Sequence, residues 1–486
     1  MLTNYIKIAL RSIQRQKGYA VINILGLAVG LTVSLLIFLW IQDERGIDQF
    51  HKDGDRIFRI LTNIDTGNGG MMTWETAPYP LIDHLRENYP EVEDVAAYDR
   101  TNKMQFELGE QVFLEDGIYA TAGFFRILNF PLVEGVPSSV FEQPKAVVIS
   151  DRLAEKFFGP NWEGQAVGQT VSINGDKTYQ VTGVFEPLAN HSSLEFDFVL
   201  DQDALHHDDA NGFPWGNFDS RILVKAQSGV SQTALAAKVK DIIREQNEYG
   251  DGVDLIVQPF GRMYLHGKFE NGKEAGGRIE YVRLFGLAAV VLLIIACINF
   301  MNLSTARASK RAREVGVRKT IGADRRSLVL QFLVESALIT GIGFVVAVAL
   351  SRLLLPYFHE ITGKQLVMDW TDPAFWWLLL GTAGLTALLA GSYPAFFLSS
   401  FSITNVLKGQ LTSNLKSGSL RKGLVVFQFV LSALLVVGAL VVQDQVDFIK
   451  NKQLGLNKEN VLYFRTPPGA AEQQDAFKNE LAQLPG

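Results

Sequence analysis

His206-His207-Asp208-Asp209 is the one cluster in this 486-residue chain with metal-ligand chemistry. Neighbouring residues of an extended segment point to opposite sides, so adjacent histidines seldom close on one ion, and a solvated acidic loop is the expected reading. ATP hydrolysis is not expected either. A phosphate-binding loop needs G-x-x-x-x-G-K-[ST], so that backbone amides cradle phosphate while the lysine and a hydroxyl complete the site. The Gly-Lys pairs at 267–268, 272–273 and 363–364 all lack the following Ser or Thr. No Ser/His/Asp arrangement can be placed, His191 stands alone in a loop, and Cys297 reads as a small packing residue. No catalytic, cofactor-binding or metal-binding residue is therefore assigned. Glu335 lies inside an apolar run, where an acid is a functional candidate by default. Its position near one end of that run, within reach of Arg325 or Arg326, predicts pairing or snorkelling instead.

The densest chemistry is cationic. Arg307, Lys310, Arg311, Arg313, Arg318, Lys319, Arg325 and Arg326 stand against only Glu314 and Asp324 in the segment 306–327, which is wedged between two long apolar stretches. Basic residues beside a span are retained on the cytoplasmic side during insertion. Topogenesis alone does not explain Val315, Val317 and Ile321 among the charges, and an exposed helix that keeps apolar residues is a plausible docking surface. Gly316 would allow close approach and Gly322 would end the helix.

The elements around this segment follow from hydropathy. A hydrophobic content of 48% is high for a soluble chain, while 20% charged residues is high for a pure membrane bundle, so a split architecture is expected. A span takes about 20 residues, and five stretches qualify: Ala20–Ile41, Leu284–Thr305, Leu328–Leu350, Phe375–Leu398 and Leu424–Val442. The first is longer than a signal-peptide core of about 7–15 residues and lacks a cleavage pattern, so it reads as an uncleaved span. Residues 1–19 form an amphipathic helix expected at the inner membrane surface, the alternative being a helix packed on protein.

Lys7, Arg11, Arg15 and Lys17 place the N-terminus inside. Alternation then puts 42–283 outside, 306–327 inside, 351–372 outside, the linker 399–423 inside and 443–486 outside. Residues 42–283 carry 22 basic against 39 acidic residues, a net of −17, while the whole chain is −6. That acidic bulk repels phosphate, so nucleic acid is not an expected partner.

The large segment 42–283 reads as mixed α/β. Strands are expected at Ala146–Ser150, Thr170–Ile173, Tyr179–Phe185 and Arg221–Lys225, with a hairpin turn at Asn174-Gly175-Asp176. Helices are expected at Pro80–Asn88, from Ser150 or Asp151 to Phe158, and at Ser231–Gln246. After the linker the chain begins again. Leu420-Arg421-Lys422, a span (424–442) and Gln443-Asp444 repeat the order of Leu10-Arg11, the first span and Gln42-Asp43, as in an internal duplication whose second copy stops early.

With these motifs in hand, the chain resembles the MacB/FtsX-type permeases of ABC transporters. The pattern R-x-x-E-[IV]-G-[IV]-R-[KR]-x-[IL]-G-A is met by Arg311, Glu314, Val315, Gly316, Val317, Arg318, Lys319, Ile321, Gly322 and Ala323. Gly117–Gly135 and Lys145–Leu188 are similar to the MacB-type periplasmic core. Tyr393-Pro394-Ala395, Leu407-Lys408-Gly409 and the restart at Leu420 resemble the duplicated permeases of Bacteroidetes-type bacteria.

The resemblance implies an α-helical polytopic protein of a bacterial inner membrane with a large mixed α/β extracytoplasmic domain (42–283) and an FtsX-like permease domain (284–398). It implies that Arg311, Glu314, Gly316, Arg318, Lys319 and Gly322 belong to a segment coupling to a cytoplasmic ATPase dimer. That ATPase, which would bind the ATP, is expected as a separate protein, because the present sequence enters a span directly where MacB carries its ATPase in the same chain. Expected partners are this ATPase, the lipid bilayer, and a periplasmic adaptor or a substrate such as an antimicrobial compound, peptide or lipoprotein. An FtsX-like regulator that controls cell-wall hydrolases or signalling without transport carries the same motifs.

Overall fold

The structure is a computed structural model that describes residues 2–101, 103–109, 111–175, 177–186, 191–202, 214–247, 250–306, 308–399, 415–452, 461 and 474–483. The His206–Asp209 cluster, Arg307, and the linker residues 400–414 with Lys408 lie outside these. The chain divides into two compact units, Met1–Asp43 with Tyr281–Leu456, and Glu44–Glu280 with Asn457–Gly486.

The first unit opens with helix α1 (Leu2–Arg15), followed after one residue by α2 (Lys17–Gly46). Backbone bonds from Gln16 N–H to the Ser12 carbonyl and from Ala20 N–H to the Gln16 carbonyl, both 3.1 Å, carry the helical pattern across that residue.

The second unit is built on one sheet. Its strands are β1 (Ile57–Asp65), β2 (Met71–Trp74), β3 (Val92–Arg100), β4 (Met104–Leu108), β5 (Gln111–Glu115), β6 (Gly117–Ala120), β7 (Leu132–Glu134), β8 (Ala146–Ser150), β9 (Thr170–Ile173), β10 (Lys177–Phe185), β11 (Phe198–Asp201), β12 (Arg221–Ala226) and β13 (Val253–Pro259). The order is β13-β1-β12-β3-β6-β11-β8-β10-β9-β4-β5, with β2 on β1 and β7 on β10. A separate hairpin pairs β14 (Lys268–Glu270) with β15 (Lys273–Gly276). Strand β8, Ala-Val-Val-Ile-Ser, is buried at every position and runs parallel to β10, as expected of a continuous apolar run in the middle of a sheet. Alternation along β1 sends Phe58 and Ile60 to one face and Ile57 to the other.

Helices α3 (Leu81–Asn88), α6 (Gln232–Val239) and α7 (Ile242–Gln246) cover the first face. Helix α4 (Gly123–Ile127) sits in an aromatic core on the other, and α5 (Asp151–Phe158) packs beside β8. Ser150 caps α5 by accepting the Leu153 N–H at 3.1 Å. Asn174 and Gly175 take positive φ of 55° and 84° at the turn between the antiparallel strands β9 and β10, as the hairpin signal predicts.

One expectation fails here. Ser231–Gln246 is not a single helix: it breaks between α6 and α7, because the Lys240 carbonyl accepts the Leu255 N–H of β13 at 2.9 Å and the helix turns there.

The first unit resumes with α8 (Arg278–Ala306), α9 (Ala308–Thr320), α10 (Arg325–Thr362), α11 (Pro373–Ser399) and α12 (Leu415–Asn451); a short exposed helix, α13 (Gln474–Leu481), follows. Among the described residues five helices are long and apolar enough to cross a membrane: Lys17–Gly46, Arg278–Ala306, Arg325–Thr362, Pro373–Phe397 and Arg421–Asn451. The third runs twelve residues past its expected end, so the 351–372 connection is helical to Thr362, where Gly363 closes it at a φ of 67°. The fourth continues as a helix through Pro394. The expected linker 399–423 is helical from Leu415 onward.

Polar contacts join the helices of this unit at several points. The hydroxyls of Tyr19 and Ser304 lie 2.6 Å apart, Ser34 donates to the Ala289 carbonyl at 3.0 Å, and Lys364 pairs with Asp43 at 2.7 Å. Gly30 permits the closest approach, since a Cβ there would stand 2.6 Å from the Ala296 Cβ.

Candidate functional site

The basic segment folds as α9, a turn, and the first turn of α10. Gly322, at a φ of 99°, ends the segment, and Asp324 restarts the helix by accepting the Ser327 N–H at 3.0 Å. Val315 is buried with Leu328, Phe332 and Ala395, so the apolar side of α9 seats on α10 and α11. Gly316 is buried beside it, on the side of α9 turned from solvent, and not on an exposed docking face as expected.

The charges divide into two sets. Arg318 turns inward, pairing with Glu314 at 2.7 Å and donating to the Gln331 side-chain carbonyl on α10. Lys319 donates to the Ser399 carbonyl at the C-terminus of α11 at 2.8 Å, a position where a cation also meets the negative end of the helix dipole. Burial, and the Arg325 charge beside it, hold the Lys319 ammonium below its ordinary range. Glu314, Val317 and Ile321 face outward at spacings of three and four residues, with Val317 57% and Ile321 82% exposed. The Arg311 side chain lies outside the described residues. Sequence reasoning thus placed Arg318 and Lys319 on a docking surface, whereas here they fasten α9 to its own bundle; Gln331 and Ser399, which receive them, carried no local signal.

Glu335 is 6% exposed and accepts a hydrogen bond from the Ser12 hydroxyl at 3.0 Å. Among the described residues neither Arg325 nor Arg326 forms an ion pair with it, and a contact from α1 is found instead of those two expected ones. Tyr5 reinforces that contact through Ser327 at 2.9 Å, and Ala9 between them is buried. The face of α1 bearing Tyr5, Ala9 and Ser12 is therefore a protein-packing face, while Ile6 and Leu10 stay exposed next to it.

Two buried ionisable groups of the large unit, Asp48 and His51, sit just after the first span. Asp48 accepts the Ser193 N–H at 2.8 Å and donates its own N–H to the His191 carbonyl at 2.7 Å, giving the lone His191 segment a structural role. His51 lies among Phe50, Phe130 and Phe260, 6% exposed, and neither ring nitrogen has a hydrogen-bond partner among the described residues. Burial pushes its imidazole down to about 4.

A histidine whose folded pKa is depressed stays neutral while the unfolded chain takes up a proton below about 6.5, so stability falls as pH drops from about 6.5 toward 4. Replacing His51 with Phe is expected to remove about 2 kcal/mol of this penalty at pH 5 and little at pH 7.5. Thermal unfolding of the nanodisc-embedded chain at the two pH values checks it, and an equal shift at both would contradict the assignment. Among the described residues no group of three or more His, Cys, Asp or Glu side chains could hold a metal ion.

Two family profiles match the chain. The MacB-like periplasmic core domain profile matches residues 20–242, and the FtsX-like permease C-terminal profile matches 286–403. The chain is a MacB/FtsX-type ABC transporter permease.

An uncharacterized ABC transporter permease, YvrN of Bacillus subtilis, is 22% identical over 71% of this chain and 86% of its own length. The macrolide export ATP-binding/permease protein MacB of Chromobacterium violaceum is 26% identical over 56% of this chain and 40% of its own. A probable MacB export protein of Pseudomonas entomophila is 26% identical over 47% of this chain and 32% of its own. The chain thus spans about a third to two fifths of the length of these MacB relatives.

Among solved structures, the periplasmic region of MacB from Actinobacillus actinomycetemcomitans is 15% identical over 44% of this chain and 91% of its own, with a TM-score of 0.33. A domain of a permease protein from Porphyromonas gingivalis gives 20%, 43%, 93% and 0.37. By the profile match and its own helices, the MacB/FtsX-type permease combines a mixed α/β domain of the periplasmic core type with apolar helices of spanning length.

Proposed function

We propose that this permease is the transmembrane partner of a separate cytoplasmic ABC ATPase, and that it relays ATP-driven motion through its spans to the large extracytoplasmic domain. The observation that carries this reading is the outward face of α9. Glu314, Val317 and Ile321 project from a helix that Val315, Arg318 and Lys319 fix to the bundle, so exposed apolar side chains sit beside an acid on a helix anchored from its other side. Such a surface fits a groove on a soluble protein, with Glu314 available for charge-assisted contacts at its edge.

Orientation is supported by charge and by aromatic residues. Lys7, Arg11, Arg15 and Lys17, with the α9 cations, mark the cytoplasmic ends. Trp370 in the connection before α11 and Trp376 in the first turn of that helix, whose rings lie 5.7 Å apart, and the exposed Trp377 next to them sit where an interfacial aromatic belt is expected. On this reading 44–280 lies outside, and its acidic surface meets the exported substrate or a periplasmic adaptor.

The test is a gentle detergent pull-down of the tagged full-length protein from native membranes, read by mass spectrometry. Recovery of a P-loop ATPase is the expected result. Its absence under conditions that preserve other membrane complexes would leave a membrane-anchored receptor as the better account.

A further inference from the structure

We propose that Ser327, Gln331 and Glu335 form a polar joint on the third span through which α9, α10 and the N-terminal helix α1 move as one piece. The proposal rests on the ATPase-coupling reading and names the path by which a push on α9 leaves it.

The three residues are spaced four apart on α10 and so share one stripe of the helix. Each takes a partner from a different place. Gln331 accepts from Arg318 of α9, Ser327 meets the Tyr5 hydroxyl at 2.9 Å, and Glu335 accepts from Ser12 at 3.0 Å. The two α1 contacts are seven residues apart, two turns of that helix, and their partners are eight apart on α10. Helices matched over two turns in this way run side by side in the same direction. Ala9, midway between the contacts, is buried against the seam.

Two consequences follow from chain continuity. Helix α1 passes through Gln16 into α2 with the helical hydrogen bonding maintained, and α2 ends at Gly46, where the chain enters the large domain. A displacement of α9 therefore has a stiff route through Gln331 into α10, and through Ser327 and Glu335 into α1 and the first span. The polar groups in this route sit beside apolar spans, where a broken hydrogen bond is not readily replaced by water. Glu335 serves here as an acceptor that positions α1, not as a proton carrier.

The experiment uses the full-length chain in nanodiscs and two readouts: amide hydrogen exchange of residues 2–15, and ATP hydrolysis by the ATPase that co-purifies. Glu335→Leu removes the acceptor. It is expected to speed exchange in α1 at least tenfold and to lower coupled ATP hydrolysis severalfold while the ATPase still co-purifies. Glu335→Gln keeps a carbonyl oxygen for Ser12 and is expected to stay within twofold of the parent on both readouts. Ser12→Ala, which leaves Glu335 in place, should move both in the direction of Glu335→Leu by a smaller factor, about threefold.

The joint is overturned if Glu335→Leu and Ser12→Ala leave α1 exchange unchanged. It is also overturned if Glu335→Gln fails as completely as Glu335→Leu, since the charge or proton would then be what matters. If the parent chain recovers no ATPase, the coupling reading fails by itself, and the exchange readout still decides whether the joint exists.

Discussion

A permease carrying Val317→Asp and Ile321→Asp is expected to lose more than tenfold of its associated ATPase in pull-downs from native membranes, while its own yield and melting temperature stay unchanged. Both side chains are exposed on a helix anchored from its other side, so their replacement removes no internal contact. Covering an aliphatic side chain is worth about 1.5–3 kcal/mol, and a factor of ten in affinity needs only about 1.4 kcal/mol. Two such contacts, each replaced by a charge that must be desolvated on docking, make the loss large. Normal ATPase recovery with the double variant would show that the partner binds elsewhere. The inward pair gives a useful contrast. Lys319→Ala should weaken the seating of α9 on α11 and reduce coupling, but not through loss of a docking contact, because its ammonium is spent on the Ser399 carbonyl.

The second large effect is expected in the domain core. Phe124→Ala should destabilise the large domain by about 3–5 kcal/mol, read as a drop in its unfolding midpoint in denaturant. Phe124 is fully buried, stacks on Phe130 at 5.7 Å, and meets Phe125 and Phe196 edge-on at 5.6 and 5.8 Å. These rings join α4 to the loop segments around Phe130 and Phe196, so the cavity left by truncation cannot collapse without moving several elements. Function should change in a characteristic way: ATPase recovery persists, because α9 is untouched, while export or signalling is lost at temperatures where the domain softens. A shift smaller than 1 kcal/mol would mean that the aromatic cluster repacks freely, and that it does not hold the domain as one body for force transfer.

Much of this was legible in the chain because it depends on patterns with short range. Five apolar stretches, the basic flanks and the Gly322 stop follow from hydropathy and local backbone preference, and these appear as helices with the turn in the expected place. The apolar run Ala146–Ile149 of β8, the Ser150 cap and the Asn174-Gly175 turn were readable for the same reason, since each is settled within a few residues. The α9 pattern and the core-domain segments also pointed to the family, and the two profiles match 20–242 and 286–403, ranges that contain them.

What only the tertiary structure decided are the partners of polar side chains. Arg318 and Lys319 look like docking cations until Gln331 and Ser399, 13 and 80 residues away, are brought beside them. Glu335 looks like a partner for the arginines of the preceding turns, but the Ser12 hydroxyl arrives from 323 residues away. The helix expected over 231–246 breaks because a carbonyl is taken by a strand that follows it in the chain. Propensity and hydropathy act between neighbours and report on where elements lie, whereas the desolvation of a polar group is settled by whichever donor or acceptor the fold delivers, and that choice is set by long-range packing.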